Sequence, residues 1–170
     1  MRCAALLLAA VAAPGVAEPL LGQATTSPSQ NSQTAAAKQS PFAGNWAANL
    51  AKSKRHPNHQ FQSATLQFVV SGDTVTLTHG GVNAAGQEES GTITLQADGK
   101  ERPIPQAPGV VSVVKWVGSR VLETLGKKDG QMVGRGTYEV SADGKTLTAT
   151  VSGRDGSGAA FDQVIVFDRK

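Results

Sequence analysis

The sequence is short of several residue types that would otherwise fix its chemistry. Its 170 residues include one cysteine, one tyrosine and only 5% aromatics. A lone Cys3 excludes an intrachain disulfide framework and any all-cysteine zinc site. Beyond the N-terminus there is no apolar run of about 18 residues, the minimum for a spanning helix, so a polytopic helical membrane protein is excluded. Charge is sparse as well. Only 17% of residues are charged, the formal net charge is +3, and the basic residues are scattered, so nucleic acid is not an expected partner.

What is present begins with Arg2 and the apolar run 4–13. Together they read as the n-region and h-region of a secretory signal, too short to cross about 30 Å of hydrocarbon. Gly15 and Ala17 suit the −3 and −1 positions and predict cleavage after Ala17, with Ala24 as a later alternative and an uncleaved N-terminal anchor as the competing reading. The expected location is secreted or periplasmic, with no membrane span left after signal cleavage. Cleavage would remove Arg2 and Cys3, leaving a mature chain without a thiol nucleophile. Cys3 precedes the h-region, so it cannot be a lipoprotein acylation site. Residues 18–41, rich in Ser, Thr, Gln, Ala and Pro, bury too little to offset their ordering entropy and read as a disordered tether.

From residue 42 to 170 the dominant signal is period-two alternation between turn dipeptides, the pattern of half-buried antiparallel strands. Leu66, Phe68 and Val70 form one stripe, followed by Val75 and Leu77, then by Ile93 and Leu95. Val111, Val113 and Val117 alternate with Ser112, Val114 and Trp116, and Val121 and Leu125 flank Glu123. Leu147, Ala149 and Val151 come next, and Phe161, Gln163, Ile165 and Phe167 close the series. Asp-Gly pairs at 98–99, 129–130, 143–144 and 155–156 suit two-residue type I′ hairpins, because Asp tolerates and Gly prefers the left-handed region. The reading is all-β: an up-and-down antiparallel barrel of about 8–10 strands, since a single long meander buries one apolar face by curling closed. A two-sheet sandwich is the structural alternative.

Phe42-Ala43-Gly44-Asn45-Trp46 opens the first strand as F-x-G-x-W. This resembles the Gly-x-Trp signature of the lipocalin and fatty-acid-binding superfamily, the calycins. The resemblance implies that Trp46 plugs the closed end of the barrel and that a basic residue of the last strand, here Arg169, packs over its ring. Gly44 to Lys54, the Lys127–Gly130 and Ser141–Leu147 turns and the closing Val166–Arg169 are similar to small secreted bacterial proteins of lipocalin-like type. That likeness implies the fold and brings no established activity. The last strand lacks the Arg-x-Tyr pair with which fatty-acid-binding members clamp a carboxylate.

Chemistry-bearing groups are few. His56 and His59 have H-x-x-H spacing, but Lys52, Lys54 and Arg55 beside them oppose a dication, so no metal is expected. The same basic loop offers electrostatic attraction for an anionic ligand or surface, or is simply solvated. Glu88 and Glu89 are adjacent and point to opposite faces of a strand. No serine sits in a G-x-S-x-G elbow. Nothing in the chain argues for an enzyme or a cofactor. Three polar groups interrupt apolar stripes: Lys115, Glu123 and Tyr138. They either project into the lumen, implying a wet or ligand-filled interior, or, for the two charges, face solvent after a slip in register. The lumen candidates are therefore Leu66, Phe68, Ile93, Leu95, Lys115, Glu123 and Tyr138, and the expected function is non-catalytic binding of a small, largely apolar molecule. An envelope interaction module with a filled barrel, or an enzyme on the same fold, are the alternatives. A lumen of several hundred Å³, in the range of about 300–1,000 Å³ usual for ligand pockets, would favour binding; a filled interior would oppose it.

Overall fold

The computed structural model describes residues 39–104, 107–154 and 158–170. The expected signal (1–17) and nearly all of the tether (18–41) lie outside the described residues, as does the Asp155-Gly156 pair. Ten antiparallel strands follow one another: β1 (Gly44–Ala48), β2 (Phe61–Ser71), β3 (Thr74–Asn83), β4 (Glu88–Gln96), β5 (Asp98–Pro103), β6 (Val110–Trp116), β7 (Val121–Lys128), β8 (Gln131–Val140), β9 (Thr146–Arg154) and β10 (Ala160–Arg169). The helical content is one 3₁₀ turn, Leu50–Lys52, among the described residues.

All ten strands form one sheet in the order β4-β3-β2-β1-β10-β9-β8-β7-β6-β5. Every sequence neighbour pairs except β4 and β5, and the first strand pairs with the last. The result is an up-and-down barrel, nearly closed, with a seam between β4 and β5 where no ladder runs. At the foot of that seam the Ala97 amide donates to Asp73 O at 2.7 Å, tying the β4–β5 junction back to β3.

The turns show how local sequence sets the register. Asp129 and Gly130 both have positive φ, 51° and 77°, the type I′ pair that the right-handed strand twist favours. At 143–144 only Gly144 is left-handed. There the Gly144 amide donates to Ser141 O, and the Lys145 amide to the Asp143 carboxylate. Asp98-Gly99 is not a hairpin. Gly99 lies within β5, where the β5–β6 register shifts between Asp98 and Glu101. Asp98 there holds Arg102 and the Lys100 amide, so the pair forms a bulge at the seam.

One end of the barrel is closed by side chains around β1. Trp46 and Arg169 are direct cross-strand partners, and the Arg169 guanidinium carbon sits 4.1 Å from the Trp46 ring centroid. The same guanidinium donates to three carbonyls, Gly144 O at 2.5 Å, Ala43 O at 2.8 Å and Pro41 O. Trp46 Nε1 donates to Phe42 O, and Phe42 turns beneath the barrel to meet Phe68 and Trp116 edge-on. Gly44 has φ +122°, and a Cβ there would lie 3.0 Å from Arg169 Nη1. The glycine of the Gly-x-Trp motif is thus needed for both its backbone conformation and the approach of the arginine. Ordered contacts begin slightly ahead of the expected boundary at residue 42, since Ser40 accepts from the Phe42 and Ala43 amides.

Trp46→Ala is expected to cost about 3–5 kcal/mol, the usual loss for truncating a core aromatic. Chemical denaturation measures it. An unchanged midpoint would show that the ring does not carry the closed end.

Candidate functional site

The strand registers arrange the inward-facing residues of β6–β10 in rows around the barrel. The lowest complete row runs Ile165, Ala149, Tyr138, Leu122, Trp116. Above it come Gln163, Val151, Gly136, Thr124 and Val114, and above those Phe161, Gly153, Gly134, Gly126 and Ser112. On the opposite wall, Leu66 pairs with His79 and His79 with Gly91, while Ala64 pairs with Gly81 and Gly81 with Glu89. Side chains therefore thin out from the closed end to the open one. The lower half is packed by Trp46, Phe42, Phe68, Leu77, Leu122, Leu147, Ile165 and Phe167, all buried. The upper half mixes glycines and polar groups with Val114, Val151 and Phe161.

Of the residues singled out in the sequence, Leu66, Phe68 and Tyr138 are buried in the interior, and Ile93 and Leu95 are half-buried on the inward face of β4 against the same core. Burial raises the Tyr138 hydroxyl pKa above the range in which it could ionise in ordinary conditions. Lys115 and Glu123 are on the outer face. They are direct cross-strand partners, with Lys115 Nζ 3.0 Å from Glu123 Oε2 and Arg135 approaching the same carboxylate at 3.9 Å. The Lys115 side chain is 53% exposed. Neither charge lines the lumen, because β6 and β7 present the other phase inward: Ser112, Val114 and Trp116, then Leu122, Thr124 and Gly126. Val111, Val113, Val121 and Leu125 face out and are half-buried among their neighbours. β6 carries apolar residues in both phases, so alternation alone could not choose between them. A lysine and a glutamate placed opposite each other were the available sign of an outer face.

The interior polar groups that sequence reasoning missed are Gln163 and His79. Gln163 is 0% exposed, and neither its Oε1 nor its Nε2 has a hydrogen-bond partner. The sequence had placed it within an apolar stripe without using it. His79 stands apart in the sequence from the His56 and His59 pair. It lies over Gly91, where a Cβ would come 2.7 Å from His79 Cε1, and its Nδ1 is buried and unpartnered. Its pKa is lowered, mainly by desolvation and against the opposing field of Glu89, so the ring is neutral at pH 7. Asn83 donates to Glu89 Oε1 at 2.9 Å and to Gln87 Oε1, while its own oxygen accepts from the Ala85 and Gln87 amides. These groups border a cleft of about 50 Å³ between β2, β3 and β4, lined by Phe61, Ala64, Leu66, His79, Asn83 and Glu89 among others. Phe68, Ile93 and Leu95 do not line it. A wider basin of about 570 Å³ lies outside the closed end, among Lys52, Asp143, Lys145 and Asp168. It is open to solvent, and its carboxylates already serve the fold: Asp168, held by Asn49 and Lys52, and Asp143, held by Ser141, both have lowered pKa values.

The basic loop between β1 and β2 crosses the rim of the open end. Lys54 pairs with Val164 through two backbone hydrogen bonds, extending the β1–β10 contact beyond the 3₁₀ turn. Arg55 then donates to Phe61 O and lies 5.4 Å from the Phe61 ring, while the His59 ring packs at a tilt 4.4 Å from Phe161 and the His56 ring at a tilt 5.5 Å from His59. Among the described residues no three His, Cys, Asp or Glu side chains converge as a metal site would require.

No family model matches the chain, and no curated protein matches its sequence. Solved structures do share its architecture. The wild-type fluorescent protein UnaG superposes with a TM-score of 0.53 at 20% identity, over 76% of this chain and 97% of its own. The zebrafish ileal bile acid-binding protein complexed with cholic acid superposes with a TM-score of 0.53 at 17% identity, over 77% of this chain and 100% of its own. The chain therefore has the calycin-like barrel fold.

The buried imidazole gives a pH dependence whose sign is fixed. Above the ordinary histidine value of 6.5, His79 is neutral both folded and unfolded and contributes no slope. As the pH falls below 6.5 the unfolded chain takes up this proton first, so stability drops until the lowered folded pKa is reached. His79→Gln should flatten that part of a stability–pH profile relative to the parent, measured by urea unfolding. Parallel profiles would show that the ring is solvated.

Proposed function

We propose that this protein is exported and binds a small ligand in the upper half of the barrel without chemical transformation. The observation that carries this reading is the change in lining along the barrel axis, from close-packed aromatic and aliphatic side chains to glycines with unpartnered buried polar atoms. A buried polar atom without a partner costs about 1–3 kcal/mol. A chain that keeps Gln163 and His79 in an otherwise apolar interior gains from them when something inside accepts their hydrogen bonds. The fold supports the same reading, since one similar barrel is the bile acid-binding protein named above. The positively charged start followed by the apolar run 4–13 supports export.

The ligand is apolar in its body, to lie against Phe61, Leu66 and Phe161, and polar at one edge. The cleft of about 50 Å³ falls well short of the several hundred Å³ expected of a ligand lumen, so binding in it requires the rim to part. The rim is least held at the β4–β5 seam, where no ladder runs.

The packed lower half favours a second reading, a filled barrel acting as an envelope interaction module through the basic loop. Native mass spectrometry of protein taken from its source separates the two. Binding predicts a mass above that of the chain that is shed on denaturation. A bare chain mass, together with no uptake of 1-anilinonaphthalene-8-sulfonate, would leave the interaction module standing.

A further inference from the structure

The described side-chain carboxylates fall into two groups, with one exception. Some are held by partners: Asp98 by Arg102, Glu101 by Lys127, Glu123 by Lys115, Asp162 by Lys54, Asp168 by Lys52 and Asp143 by Ser141. Others have no ion pair but stand where water solvates them, Asp73 and Asp129 at turns and Glu88 and Glu139 in the outward phase of their strands. Glu89 belongs to neither group. It lies opposite Gly81 on β4, in the inward phase that Gly91 and His79 share, and it is half-buried. Among the described residues its carboxylate meets no cation, and its one side-chain hydrogen bond comes from Asn83 to Oε1, which leaves Oε2 open. The cleft that Glu89 lines adds no positive charge. His79, neutral at pH 7, keeps one ring nitrogen as an acceptor. The Asn83 amide is already donating to Gln87 and Glu89. Arg55, which shares the Phe61 wall, donates to Phe61 O and lies over that ring, and it forms no ion pair with Glu89.

We propose that Glu89 seats the ammonium group of a primary amine, whose apolar body lies against Phe61, Ala64 and Leu66 in the same cleft. A half-buried carboxylate without a counter-ion gains most from a group that brings both positive charge and donors, because such hydrogen bonds are roughly twice as strong as neutral ones. A water needs only about 10–15 Å³ of such space, so the cleft of about 50 Å³ has the size of an ammonium head group on a short stem. The rest of the molecule is accommodated as the rim parts. A carboxylate ligand would meet like charge at Glu89, and an alcohol would leave that charge without a counter-ion. This assignment rests on the ligand-binding reading above and narrows it.

The test compares three probes of one length at pH 7: n-hexylamine, which is an ammonium ion there, 1-hexanol, which keeps the body without the charge, and hexanoate, which reverses it. Titration calorimetry on the purified protein should show one site for n-hexylamine, with 1-hexanol weaker by about tenfold or more, the loss expected of one hydrogen bond to a charged group, and hexanoate weaker still. Glu89→Gln keeps an oxygen for Asn83 and removes the charge. It should weaken n-hexylamine by a similar factor and leave 1-hexanol unchanged, a split that general loosening of the barrel would not produce. Equal affinity for n-hexylamine and 1-hexanol, a preference for hexanoate, or Glu89→Gln binding n-hexylamine as the parent does, would overturn the assignment. Binding of 1-anilinonaphthalene-8-sulfonate without any binding of n-hexylamine would overturn it while the broader ligand-binding reading survives. Binding of no probe, with no ligand on protein from its source, would overturn both.

Discussion

The structure depends on the pairing of its first strand with its last. β1 has only five residues, yet it is hydrogen-bonded on both sides, to β2 and to β10, and without it the ten-strand sheet would be two separate pieces. The Trp46–Arg169 contact fixes that junction. Its guanidinium stacks on the indole and donates to carbonyls that precede β1 and to one in the β8–β9 turn, so three chain segments far apart in sequence are held by one planar cation. Arginine suits the position because lysine has neither the fork of donors nor the flat face. Gly44 completes the arrangement by leaving room for it.

Closure at that end sets how the interior is used. Small barrels fill their interiors with side chains, and here the bulky ones are gathered where Trp46 and Phe42 form the floor. The upper rows then carry glycine, threonine, serine and glutamine beside Val114, Val151 and Phe161. Some of those glycines let strands and side chains approach closely, while Gly126 and Gly134 flank the bulge between β7 and β8. The stability gained in the lower half sustains an upper half that contributes little apolar packing and retains polar atoms without partners. The open end is instead held by the β1–β2 loop, which runs along β10 through Lys54 and lays Arg55 and His59 over Phe61 and Phe161.

Much of this was legible in the chain. Alternation found β2 to β4, β9 and β10 in the phase observed, and Asp129-Gly130 marked a type I′ hairpin. The Gly-x-Trp motif and the terminal basic residue pointed to a calycin-like barrel. Other features were misread for identifiable reasons. β6 is valine-rich in both phases, so the choice that placed Lys115 and Glu123 inward followed an even apolar signal, and their charge pairing across strands was the better guide. Asp98-Gly99 has the residues of a hairpin turn but stands at the one junction where consecutive strands do not pair, and it bulges instead. Gln163 was visible as a polar residue in an apolar stripe, and only its burial without partners gave it meaning.

The sequence by itself determined the class of fold, because strand alternation and turn chemistry are local properties that survive without knowledge of the partner strand. Its Gly-x-Trp resemblance also pointed to Trp46 and Arg169 as a pair. Which face of β6 and β7 looks inward, and how much of the interior is bare, were decided only by the tertiary structure. Facing is set when the sheet curls and closes. Free volume is set by whole rows, such as Phe161, Gly153, Gly134, Gly126 and Ser112, whose members come from five strands and become neighbours only once every register is in place.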